Sequence, residues 1–194
     1  MRYDTEHKAR TRARVLKEAA ATIRAVGPDG VGVAGLMAKV GLTHGGFYAH
    51  FKSKDDLVAE AVSQMFDDSR AMFELRTEGR TPADGLAHYI DFYLSEAHRD
   101  QTDRGCPLPR LSNEFARLPG AARDRFAEGA AGLTRRIAGL LEKLGTADAE
   151  TAAAAMVSEM VGALALARVV PDRDQSGKIL KASREGLKSR LGVR

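Results

Sequence analysis

The stretch Val40-Gly41-Leu42-Thr43-His44-Gly45-Gly46-Phe47-Tyr48-Ala49-His50-Phe51-Lys52-Ser53-Lys54-Asp55-Asp56-Leu57 decides how this chain is read. It runs as turn, short helix, basic turn and new helix. Leu36-Met37-Ala38-Lys39-Val40 before it is a short apolar helical patch, and Gly41 can end that helix because glycine accepts positive φ just past a C-terminus. Thr43 is placed to cap the next helix through its hydroxyl. A helix, a tight glycine turn and a second short helix make the pattern of a helix-turn-helix DNA reader. In the second helix Gly45 and Gly46 let the backbone approach a DNA edge, while His44, Tyr48 and His50 supply polar rings for phosphates or bases.

Charge is distributed to match. Residues 1–54 hold ten Lys/Arg against four Asp/Glu, whereas residues 55–194 hold twenty against twenty-two. The formal net charge of +4 therefore belongs to the segment with the motif, as expected of a nucleic-acid module; a merely solvated basic helix is the bland alternative. A length of 194 residues suits one ordinary domain, or a small module joined to a medium one. With 44% hydrophobic and 29% charged residues the composition is that of a soluble globular chain. No apolar run reaches the roughly 18 residues of a membrane span, and the polar start Met1-Arg2-Tyr3-Asp4-Thr5-Glu6 lacks the apolar core of a signal peptide. A single cysteine, Cys106, excludes an intrachain disulfide and suits a reducing cytoplasm, the expected location.

Ala-rich helical periodicity without strand alternation predicts an all-α chain. Helices are expected over about 6–26, 33–40, 44–51, 54–76, 83–98, 107–117, 119–144, 147–170 and 173–191, nine in all, with Ser53 as an N-cap and Pro82 in a first turn. The boundary expected between a DNA-binding domain (1–53) and a larger helical domain (54–194) falls at the start of the long fourth helix.

The motif resembles the DNA-binding domain of the TetR family of bacterial transcriptional repressors, through Gly41, Thr43, Gly45, Tyr48, His50-Phe51, Ser53-Lys54 and Leu57, with Leu36 upstream. Two positions depart from the family pattern. Val31-Gly32-Val33 stands where a Thr or Ser usually opens the first motif helix, and Gly46 stands where a base-reading side chain is common. The resemblance implies DNA contacts from Thr43, His44, Gly45, Gly46, Tyr48, His50, Lys52, Lys54 and Arg12, with Tyr48, His50 and Lys54 on phosphates and His44 near base edges. The alternative is that Tyr48 and His50 only close the small domain's core. The resemblance also implies an effector pocket among the central helices, for which Met65, Met72, His88, Phe92, Tyr93, Cys106 and Phe115 are candidates; ordinary core packing is the alternative for each.

In Gly105-Cys106-Pro107, a helix beginning at Pro107 would leave Cys106 at the N-cap, where unpaired N–H groups lower a thiol's pKa. Some electrophile-sensing members of the family carry a similar Gly-Cys segment; an inert packed cysteine is the alternative. His88 with Asp91 and Glu96 with His98 read as surface pairs rather than metal ligands, and no cofactor is expected. The small residues Ala152–Ala155, Gly162, Ala163, Ala165 and Ala167, with leucines through Leu187 and Leu191, suggest a homodimer seam over the last two helices. The expectation is therefore a regulator that binds palindromic operator DNA as a homodimer, with no membrane association, released by a small-molecule or electrophile effector. An effector-free DNA-binding protein, or an enzyme or carrier using the C-terminal cavity, are the rivals; the latter lacks a visible catalytic constellation.

Overall fold

The computed structural model describes residues 2–118 and 120–194, with side chains from Glu6 onward. Helix α1 (Arg2–Val26) buries Val15, Leu16, Ala19, Ala20 and Ile23, the apolar stripe expected at helical spacing. Helix α2 (Val33–Lys39) follows, with Gly32 at its N-cap. Its far end closes at Gly41, whose φ of 73° lets two bonds form together: Gly41 N–H donates to the Ala38 carbonyl at 3.0 Å and Leu42 N–H to that of Met37 at 2.9 Å.

The recognition segment departs from expectation. It is a 3₁₀ helix, His44–Ala49, rather than an α-helix to Phe51, and the Thr43 hydroxyl makes no capping bond; the Gly46 N–H instead closes on the Thr43 carbonyl at 3.0 Å. Two adjacent glycines are poor α formers, and a segment this short cannot offset the cost of nucleation. Packing supplies the order instead. Phe47 and Phe51 are buried and stack with ring centroids 5.5 Å apart.

Ser53 caps α3 (Lys54–Thr77), its Oγ accepting from Asp56 N–H at 3.0 Å. This helix packs on α1 near its start and on later helices beyond, so one rigid rod joins the DNA-reading part to the rest. The helix expected over 83–98 is broken in two, α4 (Pro82–Tyr93) and α5 (Glu96–Asp100). Ser95 explains the break: its Oγ accepts from His98 N–H at 3.1 Å as a new N-cap and donates back to the Phe92 carbonyl at 2.8 Å.

Helices α6 (Leu108–Phe115), α7 (Ala121–Lys143), α8 (Ala149–Val169) and α9 (Arg173–Leu191) complete the chain. Pro119, expected to open α7, lies outside the described residues. Asp148 and Asp172 cap α8 and α9 through Thr151 N–H at 3.1 Å and Gln175 N–H at 2.8 Å. Among the described residues there are nine α-helices, one 3₁₀ helix and no strand. Helix α7 lies between α3 and α8, and α8 between α7 and α9, so one continuous apolar core runs from Val15 to Leu187. By length and composition alone α8 is apolar enough to cross a membrane, but its inner face packs into this core and Glu159 and Arg168 interrupt it.

Candidate nucleic-acid interface and ligand cleft

Phe47 is 1% exposed and the neighbouring Tyr48 67% exposed. The 3₁₀ segment is thus pinned on one side and offers Tyr48, His44 and Gly45 to solvent on the other. A Cβ built at Gly45 would meet nothing within 4 Å, so the glycine leaves an open outer surface rather than relieving a clash. The Tyr48 ring meets His44 edge-on at 6.3 Å and Phe47 at 5.2 Å, which sets the direction of its phenol. Thr43 and Lys52 are also exposed, and Gly46 is half-buried.

The structure uses two of the predicted basic contacts, Arg12 and Lys54, internally. The Arg12 guanidinium pairs with Glu60, donates from Nε to the His50 carbonyl at 3.4 Å and lies 5.0 Å over the Phe51 ring. Arg12 therefore braces α1 against α3, and a DNA phosphate would compete with Glu60 for it. His50 is half-buried, its Nδ1 enclosed without a partner; burial first, then the charges of Lys8 and Arg12, lower its pKa. Lys54 Nζ reaches back to the Asp29 carbonyl at 3.5 Å. Arg14, also an early Arg of α1, donates to the Val40 carbonyl at 2.9 Å and so caps α2.

A cleft of about 740 Å³ lies between α1, the α2 end, α3, α4, α5 and the loop that leads into α6. Of the candidate ligand residues, Met72, Phe92, Tyr93 and Cys106 line it; Met65 and Phe115 are closed into the core, and His88 is exposed elsewhere. Sequence reading missed Arg24, His98 and Gly105, which also line it together with Tyr89. Arg24 carried a signal: it stands four residues after Ala20, on the buried stripe of α1, where a charge calls for a partner. Its Nη2 donates to the Met65 carbonyl at 3.1 Å and to Asp68 at 3.0 Å, while its Nε is buried without a partner.

His98 organises the cleft's inner wall. It is 2% exposed, which corrects the reading of Glu96 and His98 as a surface pair. Its Nδ1 lies 2.8 Å from the Tyr93 carbonyl, which the helix break has freed, and its Nε2 lies 3.1 Å from the Cys106 backbone nitrogen. A carbonyl only accepts and a backbone N–H only donates, so the proton must be on Nδ1. Both ring nitrogens are then satisfied in the neutral form alone. Burial above all lowers the His98 pKa to about 4, the Arg168 charge assisting and the Tyr93 hydrogen bond opposing. A Cβ at Gly105 would lie 2.5 Å from His98 Nε2, so the close approach admits only glycine. Arg168 fastens the same corner from α8, donating to the His98 and Arg99 carbonyls at 3.0 and 3.1 Å.

The N-cap of α6 is Pro107, not Cys106, which lies one residue outside the helix. Of the α6 N-terminal N–H groups, that of Leu108 still reaches the thiol. Burial raises its pKa, and the neighbouring Tyr93, the Leu108 backbone, Arg24 and Arg168 offset only part of that. The net direction is away from a reactive thiolate. Among the described residues no group of three His, Cys, Asp or Glu gathers as a metal site.

Family models match two parts of the chain: "Bacterial regulatory proteins, tetR family" over residues 15–61, and "Tetracyclin repressor-like, C-terminal domain" over residues 82–183. No curated protein sequence matches significantly. Among solved structures, a TetR transcriptional regulator from Chloroflexus aurantiacus is similar at 25% identity with a TM-score of 0.83, covering 96% of each chain. Escherichia coli NemR in its reduced form is similar at 21% identity and a TM-score of 0.79, covering 92% of this chain and 95% of that one. A TetR-family regulator from Cytophaga hutchinsonii gives 19% identity and 0.81, covering 97% of this chain and 96% of that one. With a helix-turn-helix presented on a rigid three-helix base, and family models matching both that base and the helical domain behind it, this chain belongs to the TetR family of transcriptional regulators.

Proposed function

We propose that the protein is a cytoplasmic repressor that binds a palindromic operator as a homodimer and releases it when a small molecule enters the cleft. Residues 1–53 form the reading domain and 54–194 the effector and dimer domain. The carrying observation is the exposed Tyr48 and His44 on a segment pinned by Phe47. Coupling has a physical route. Arg110 at the start of α6 donates to the Ala25 carbonyl at the end of α1, and Arg24 ties α1 to α3. A ligand that binds the cleft better in one arrangement of α6 and α1 shifts the population of DNA-competent dimers by that difference in affinity.

The test begins with operator selection on the full chain. Tyr48→Ala is expected to weaken binding to every sequence and to flatten the salt dependence by about one unit, as for one lost phosphate contact. His44→Ala is expected to change the selected base preference instead. Unchanged affinity, salt slope and preference across both variants would remove this surface from the interface.

NemR is similar in a form named reduced, which raises a redox or electrophile route for this chain. The half-buried Cys106, whose thiol pKa is raised by desolvation, argues against it. Iodoacetamide labelling of the native protein near neutral pH is expected to be far slower than that of an unfolded control, with operator binding retained. Rapid native labelling accompanied by operator release would reinstate the electrophile route.

A further inference from the structure

The cleft encloses two polar groups that the protein leaves unanswered. Tyr93 is 0% exposed and its Oη has no oxygen or nitrogen partner; what it meets is the Cys106 thiol beside it, a weak acceptor. Arg24 is 4% exposed, and its Nε–H is likewise unpartnered although Nη2 is held by the Met65 carbonyl and Asp68. Both residues line the same cleft, and both act on the Cys106 thiol, Tyr93 as its neighbour and Arg24 through its charge. A buried donor without an acceptor is unfavourable, and native proteins rarely keep two together without a use.

The charge of the cleft narrows what would answer them. Each of its three carboxylates is already compensated, Glu18 by Lys39, Asp68 by Arg24 and Asp103 by Arg104. Arg14 and Lys17 also line it and, among the described residues, form no ion pair. The surplus is positive, so the cleft favours an anion over a neutral or cationic ligand. Two single donors, one N–H and one O–H, match the two oxygens of one carboxylate. The remaining walls are apolar and aromatic: Met72 and the edge of Phe92, whose ring stacks on His98 at 5.1 Å and lies under Arg76 at 4.7 Å, with Tyr89 behind them. The volume is in the range of small-molecule sites.

We infer that the cleft takes a small aromatic carboxylic acid as its monoanion, with the carboxylate accepting from Tyr93 Oη–H and Arg24 Nε–H and the ring lying along Met72 and the edge of Phe92. This rests on the proposed effector role of the same cleft and names its ligand class.

Calorimetric titration of the full chain with benzoate, salicylate and naphthoate tests it, with naphthamide as the neutral isostere. At least one acid is expected to bind, with naphthoate about tenfold or more tighter than the amide, since the amide replaces one acceptor by a donor and carries no charge. Tyr93→Phe removes only the hydroxyl. It is expected to leave the free protein's melting temperature unchanged or higher while weakening the acid about tenfold. No heat from any acid into the low-millimolar range, equal affinity for acid and amide, or an unaltered acid affinity in Tyr93→Phe would each overturn the inference. Operator binding by the same preparations separates the two readings. Operator release by neutral hydrophobic compounds but not by acids would leave a repressor with a different ligand, whereas acid binding by a protein with no operator affinity would leave the ligand class and remove the repressor.

Discussion

Acidification from about pH 7 to pH 4 is expected to remove roughly 3 kcal/mol of folding stability through His98 alone, at about 1.4 kcal/mol per pKa unit. The folded pKa is about 4 against an ordinary 6.5. Above the ordinary value both states are neutral and the stability is fully present. As pH falls below it, the unfolded chain takes up a proton that the folded chain refuses, and the loss continues until the folded pKa is reached. Structurally, a proton on Nε2 would face the Cys106 N–H at 3.1 Å, donor against donor, with Arg168 adding a like charge.

His98→Gln keeps a donor and an acceptor but does not titrate. It is expected to be less stable at neutral pH by about 1–3 kcal/mol, through imperfect hydrogen bonds and the lost stacking on Phe92. Its stability should fall much less between pH 6.5 and 4. His50, whose pKa is also lowered, contributes a slope common to both proteins. Asp100 acts elsewhere: Arg99 and Arg173 depress its pKa, so its contribution is lost only below the ordinary carboxylate value of 3.8. Urea midpoints against pH decide the matter; equal slopes in the two proteins above pH 4 would mean that His98 is not the titrating group.

Leu166→Arg together with Val169→Arg is expected to yield a folded monomer and to reduce operator affinity by at least about a hundredfold, because two linked half-sites become one. Leu166 is 61% and Val169 77% exposed within one chain. They continue a stripe of Thr151, Ala154, Ala155, Ser158, Gly162 and Ala165, spaced three and four apart along the outward side of α8. Small residues over most of that stripe permit close approach by a second helix, and the two large ones anchor it. Leu187, which the sequence also offered for the seam, is 2% exposed and packed inside the monomer. Leu187→Arg would therefore unfold the chain rather than divide a dimer. Sedimentation at micromolar concentration supplies the readout, and an intact dimer in the double variant would place the interface elsewhere.

Periodicity and capping chemistry made most of the architecture legible in advance. Gly41 and Ser53 do locally what their residue types require, and α9 begins and ends where Pro171-Asp172 and Gly192 put its limits. The DNA-reading motif was legible for the same reason: its turn residues act within a few positions of themselves. Tertiary structure decided the rest. Thr43 makes no capping bond because the Gly45-Gly46 pair and the buried Phe47 draw the recognition segment into a tighter helix. Arg12 has the charge of a phosphate ligand, but Glu60, distant in sequence, holds it. Cys106 has the local surroundings of a helix cap, yet α6 starts one residue later and desolvation in the packed wall raises the thiol's pKa. Burial and ion pairing depend on which distant side chains meet, so a residue's type states what it can do chemically, and packing alone decides whether its charge and hydrogen bonds are already spent inside the fold.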